Sequence, residues 1–125
     1  MGGRIAGRYL EAKAADRRAE ALLRDVLTPP EYARLLARGY LDVRSPGHPG
    51  RVYRIPRDGG LVVVREGGRA ICGLCLQAVQ PVPAADVVAI HKLMIEGAED
   101  EYLRRANHFN AVALSRYGLG VFYWR

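Results

Sequence analysis

The segment Arg51-Val52-Tyr53-Arg54-Ile55-Pro56-Arg57-Asp58-Gly59-Gly60-Leu61-Val62-Val63-Val64-Arg65-Glu66-Gly67-Gly68-Arg69 decides the fold class. Its β-branched and aromatic residues come in short runs, and Asp58-Gly59-Gly60 and Glu66-Gly67-Gly68 stand between the runs as tight-turn signals. A strand from Arg51 to Ile55, a second over Leu61–Arg65 and a third from Arg69 to Val79 therefore read as an antiparallel meander. Tyr40–Val43 reads as a short strand before it. The loop Ser45-Pro46-Gly47-His48-Pro49-Gly50 joins the two, because two prolines and two glycines permit little else. Val62 and Val64 point one way and Leu61 and Val63 the other. Such a strand needs cover on both faces, from helices or from a second subunit.

Upstream, Thr28-Pro29-Pro30-Glu31 is a helix start. Thr28 can cap, Pro29 suits the first helical position, and Glu31 stands where a capping box places its carboxylate. Leu27 and Tyr32 occupy the staple positions. The helix presents Tyr32, Leu35 and Leu36, and Gly39 can close it in the left-handed conformation. Before it, Ile5, Tyr9, Ala12, Ala19, Leu22 and Val26 recur at helical steps over residues 4–27, with a gap near Asp16. Downstream, Pro81 and Pro83 end the sheet. Ala84–Glu96 reads as an apolar helix with Val87, Ile90, His91 and Met94 on one stripe. Glu99-Asp100-Glu101 then opens a further helix that carries Leu103, Ala106, Ala113 and Leu114 and ends near Tyr117-Gly118. The apolar stretch Val121-Phe122-Tyr123-Trp124 should be packed. The expected fold is α+β: two N-terminal helices, a three- to four-stranded antiparallel meander and a C-terminal αα-hairpin. Residues 1–125 make one domain, with the helix of residues 1–27 an oligomerisation or docking arm.

Bulk properties narrow the function classes. The chain of 125 residues has a net charge of +6. Residues 1–80 hold 14 basic and 8 acidic side chains, whereas residues 81–125 hold five of each. Of the 19 basic residues, 17 are Arg. Apolar runs reach four or five residues, far short of the roughly 20 a membrane span needs. The start, charged from Arg4, lacks the apolar core of a signal peptide, so the expected compartment is the cytoplasm.

Two constellations could carry chemistry. Cys72-Gly73-Leu74-Cys75 could be a redox pair, but a reactive thiolate belongs at a helix N-terminus and this pair lies in an apolar run. With His91 and His108 it would make a two-Cys, two-His zinc set, although the gap between the histidines is far wider than usual. As strand residues the two cysteines would instead face opposite ways and pack as small hydrophobes. The second constellation is basic. Arg44, Arg51, Arg54, Arg57, Arg65 and Arg69 are crowded around Tyr53, and planar guanidinium forks suit phosphates while an aromatic can stack on a base. Such a cluster can equally be a solvated strand face. No phosphate-binding loop or nucleophile-elbow motif is present, and Asp86, His91 and Glu96 on one helix do not converge.

Leu35-Leu36-Ala37-Arg38-Gly39-Tyr40-Leu41, a Pro/Gly loop and Arg51-Val52-Tyr53-Arg54-Ile55 follow in the order helix end, strand, wing and returning strand. Over about residues 17–57 the chain resembles winged-helix DNA-binding domains. The resemblance implies that helix 29–38 enters the major groove, with Arg34 and Arg38 as contacts and with His48 and Arg51 beside a wing contact. The expectation is thus a non-catalytic module that binds an anionic partner, nucleic acid first, through Arg34, Arg38, Arg51, Tyr53, Arg54 and Arg57. The chain is expected to form a homo-oligomer. The alternatives are a structural or self-assembly protein with no nucleic-acid role, or a Cys/His zinc-stabilised domain.

Overall fold

The computed structural model describes residues 2–76 and 82–110. The chain is α+β. Helices α1 (Gly2–Val26) and α2 (Pro29–Arg38) lead into strands β1 (Tyr40–Arg44), β2 (Arg51–Pro56), β3 (Val62–Glu66) and β4 (Arg69–Cys75). Helix α3 (Ala84–Arg105) and strand β5 (Asn107–Asn110) follow. The five strands lie in sequence order in one antiparallel sheet.

The capping box forms as its residues dictate. Thr28 N–H donates to Glu31 Oε1 at 2.8 Å, and Glu31 N–H donates to Thr28 Oγ1 at 3.3 Å. Gly39 ends α2 at φ 80°, its N–H donating to Leu35 O at 2.9 Å. That reversal sends the chain directly into β1, whose Leu41 and Val43 face the core. Gly67 and Gly68, both at positive φ, form the two-residue turn that places Glu66 opposite Arg69.

Pairing then sorts the side chains. Leu41 faces Ile55, Val43 faces Tyr53, Tyr53 faces Val64, and Val64 faces Cys72. Between Val64 and Arg65 the β3–β4 register shifts by one, with Ile71 of β4 as the extra residue of a bulge. This face meets Leu23 and Leu27 from the end of α1, Leu35 from α2, and Val88, Ile95 and Tyr102 from α3 in one core. All three valines of β3 are buried, as a strand apolar on both faces requires.

The expected C-terminal αα-hairpin is not formed. At Ala98 the backbone leaves helical space (φ −155°, ψ 56°), so the break comes where Gly97 weakens the helix, but the chain continues as the second half of α3. That half ends at Arg105, and Ala106 turns extended. Asn107–Asn110 then pairs with β4, whose outer edge would otherwise leave backbone donors and acceptors unpaired. The meander thereby gains a fifth strand. Ala113, Leu114, Tyr117-Gly118 and the stretch 121–124 lie outside the described residues.

Two helical stripes also shift. In α1, Leu23 and Leu27 are buried while Leu22 is exposed, and Arg4 to Lys13 are exposed apart from the half-buried Gly7. In α3 the core side is Val88, His91, Ile95 and Tyr102, and Ile90 is exposed. Among the described residues, no helix is long and apolar enough to cross a membrane.

The left-handed Gly39 yields the first prediction. Gly39→Ala places a Cβ in open space, so the cost is conformational alone. Urea unfolding should show a loss of about 1–2 kcal/mol, with the folded far-UV spectrum unchanged.

Candidate functional site

The break at Ala98 has a local consequence. It turns Glu99 inward, to 8% exposure, at the start of the second half of α3. The Glu99 carboxylate accepts three hydrogen bonds: from Ser45 Oγ, from Gly47 N–H at 2.8 Å and from Tyr53 O–H at 2.6 Å. Ser45 Oγ in turn accepts from His48 N–H at 2.9 Å. The Pro/Gly loop is thus stapled to α3, so closely that a Cβ on Gly47 would lie 2.9 Å from Glu99 Oε1.

Burial alone would push the Glu99 carboxyl up. The bonds from Ser45, Tyr53 and Gly47, with the neighbouring His48, outweigh it and hold the pKa below the usual carboxylate range. Tyr53 is pushed up to about 12, first by burial and then by its bond to Glu99. Its ring stands edge-on to Tyr102 at 6.0 Å, and Tyr102 stands edge-on to His91 at 5.6 Å. His91 Nδ1 and Tyr102 Oη are 2.8 Å apart. Burial pulls His91 down to about 4, so its imidazole is neutral at physiological pH. Chemically this chain of groups is a brace. The serine hydroxyl donates to an ionised carboxylate, which is a weak base and holds the hydroxyl in place without activating it as a nucleophile.

The six sequence-selected contact residues fall into two groups. Tyr53 is fully buried in the core, with its hydroxyl on Glu99. Arg54 is 6% exposed. It donates from Nε and Nη2 to the two Asp42 oxygens at 2.8 and 3.0 Å, and its guanidinium lies 4.0 Å from the centroid of the Tyr40 ring. Arg51 Nε donates to Glu66 at 2.7 Å. These three stabilise the sheet from within. Arg34, Arg38 and Arg57 are exposed. Arg57 N–H donates to Gly39 O at 2.9 Å, which sets the β2–β3 turn against the end of α2, next to Arg38. Arg57 Nη2 lies 3.6 Å from Glu20, and that carboxylate also accepts from Tyr32 O–H. Arg24 lies over the Tyr32 ring at 5.2 Å.

The four metal candidates are engaged separately. Cys72 shares the core-facing side with Val64, and Cys75, three residues on, falls on the other side of the strand by alternation. Burial pushes the Cys72 thiol up, away from thiolate chemistry. His91 bonds Tyr102, and His108 Nε2 lies 2.7 Å from Leu103 O. Among the described residues no three His, Cys, Asp or Glu side chains are placed to hold one metal ion.

Sequence reasoning missed Ser45, Glu99, Tyr102 and Asp42. Glu99 was legible as a helix start after Gly97, but its partners Ser45 and Gly47 lie about fifty residues away, and only the fold brings them together. Asp42 had a signal: strands of this length joined by this loop put it opposite Arg54.

Compared with known proteins, the chain matches no family model, no curated protein and no solved structure.

The buried imidazole makes stability depend on pH. The folded pKa of His91 lies below the unfolded value of 6.5, so the unfolded chain binds the proton more tightly in between. The stability is complete above pH 6.5 and is lost as pH falls towards 4, by about 3 kcal/mol in all. His91→Gln should flatten that part of a denaturant-midpoint against pH curve. It should leave the further loss below about pH 4.5, where Glu99 takes up its proton.

Proposed function

We propose that the chain is a non-catalytic binding module for an anionic partner, nucleic acid in the first place, and that its contacting charges are Arg34, Arg38 and Arg57. The observation that carries this reading is the Arg57 N–H bond to Gly39 O, which gathers the turn and the end of α2 at one place. Arg34 and Arg38 stand four residues apart on α2 and so share one helix face. Together they present exposed guanidinium groups from two elements, on backbones held by hydrogen bonds. Phosphate oxygens are the ligands such forks fit best.

Strand arginines locked to Asp42 and Glu66 contribute little to this surface, because a partner would first have to break those pairs. The succession of α2, β1, loop and β2 supports a winged-helix style of docking, with α2 as the helix that approaches the groove.

Binding to a random duplex should weaken steeply with salt. The combined variant Arg34→Gln, Arg38→Gln, Arg57→Gln should lower the slope of log K against log salt by about 2 to 3. Arg51→Gln should change it far less. An unaltered slope in the triple variant, or no binding by the parent at low salt, overturns the reading.

A second reading, self-assembly, is favoured by α1. Ile5, Ala12 and Ala19 stand at seven-residue steps, and Tyr9 and Leu23 are two such steps apart with Asp16 between them, so Ile5 and Tyr9 continue the stripe that docks lower down. Yet Ile5 is 75% and Tyr9 58% exposed. A second copy of this helix would cover them. Removing residues 2–13 should reduce the number of chains per particle found by sedimentation and leave the melting temperature of the core within about 2 °C. An unchanged number of chains per particle refutes this reading.

A further inference from the structure

Between α3 and the β4–β5 corner lies an open cleft of about 500 Å³. Its described lining includes Leu76, Val82, Val87, Ile90 and Met94, with polar groups from His91, Arg105 and Asn107. Val87, Ile90, His91 and Met94 recur at three- and four-residue steps, so α3 offers one continuous wall. The size and the mixture of an apolar lining with a few polar groups are those of small-ligand sites.

The tautomer of His91 gives the cleft its chemistry. The Tyr102 hydroxyl is fully buried, and among the described residues its hydrogen-bond partner is His91 Nδ1. A buried phenol must place its proton on an acceptor, so Tyr102 O–H donates and Nδ1 accepts. A neutral imidazole that accepts at Nδ1 carries its proton on Nε2. That ring edge lies away from Tyr102, and Nε2 has no hydrogen-bond partner among the described residues. His91 is 2% exposed and lines the cleft, so the Nε2–H donor is available to a molecule inside it. At the rim, Arg105 donates from Nε to Glu101 at 2.5 Å, and its Nη groups bring further donors and a positive charge.

We propose that this cleft binds a small apolar monocarboxylate, its hydrocarbon part against Val87, Ile90 and Met94 and its carboxylate received by His91 Nε2–H and the Arg105 guanidinium. The low pKa of His91 fits this role, since the ring stays a neutral donor across the physiological range. The site is separate from the arginines of α2 and does not depend on their function.

Octanoate and the uncharged 1-octanol are suitable probes, followed by calorimetry and by the imidazole nitrogen resonances of the full chain. Octanoate should bind saturably and shift the His91 Nε2 resonance, and 1-octanol should bind at least about tenfold more weakly. Arg105→Gln should weaken octanoate alone. Ile90 is exposed on α3, so Ile90→Trp fills the cleft without entering the core and should abolish both. His91→Phe should weaken octanoate about tenfold or more. If that variant fails to fold, the Arg105 and Ile90 variants decide the matter alone. Equal binding of octanoate and 1-octanol, octanoate binding that survives Ile90→Trp, or no saturable octanoate signal at millimolar concentration overturns the proposal.

Discussion

One carboxylate organises this fold. Glu99 is buried at the restart of α3 and draws a loop hydroxyl, a loop amide and a core tyrosine to itself. An ionised group away from water is tolerable only when its lone pairs are met. Here three donors from two distant elements meet them, and the same bonds set the height of α3 over the sheet. The kink at Ala98 belongs to this arrangement. A straight α3 would carry the carboxylate round its axis by about 100° for each residue of altered phase, away from Tyr53.

A second theme is the division of labour among chemically identical side chains. Arginine is abundant throughout residues 1–80, but its tasks separate by position. Arg54 lies across the strand from Asp42, and its planar group is sandwiched against Tyr40. A pair so placed adds little net stability over an apolar pair, but it penalises any slip in the β1–β2 register, since a slip leaves both charges unmatched. Lys92 plays a similar part between helices, 2.5 Å from Glu96 and 4.0 Å from Glu31, the carboxylate that also closes the capping box of α2. Arg34 and Arg38 of α2 are exposed, and Arg57 of the β2–β3 turn, also exposed, makes a looser pair with Glu20 at 3.6 Å.

Local signals in the sequence carried most of the fold. Thr28 to Glu31, Gly39 and the two glycine turns each act within a few residues of themselves, so their reading required no tertiary knowledge. The C-terminal hairpin failed for the opposite reason. Residues 107–110 have no strong strand pattern of their own, and they become a strand because the edge of β4 offers them partners. The same limit applied to the site. Alternation correctly separated Cys72 from Cys75. Which arginines were already committed depended on Asp42 and Glu66, and that is a question of pairing across strands. His91 sat on a stripe that looked like core. It is buried, but its neighbours Ile90 and Met94 border a cleft that Leu76 and Asn107 line from the β4–β5 side.

The overhang of α1 separates two kinds of selection. From Arg4 to Lys13 almost every side chain is in solvent, over a length of about 15 Å of helix. A change there barely touches the folding equilibrium, whereas a change at Tyr53 or Glu99 alters it whatever else those residues do. Drift among descendants of this gene should therefore be readable in that segment as a record of its contacts alone. In the sheet, the demands of folding and of binding would be superimposed.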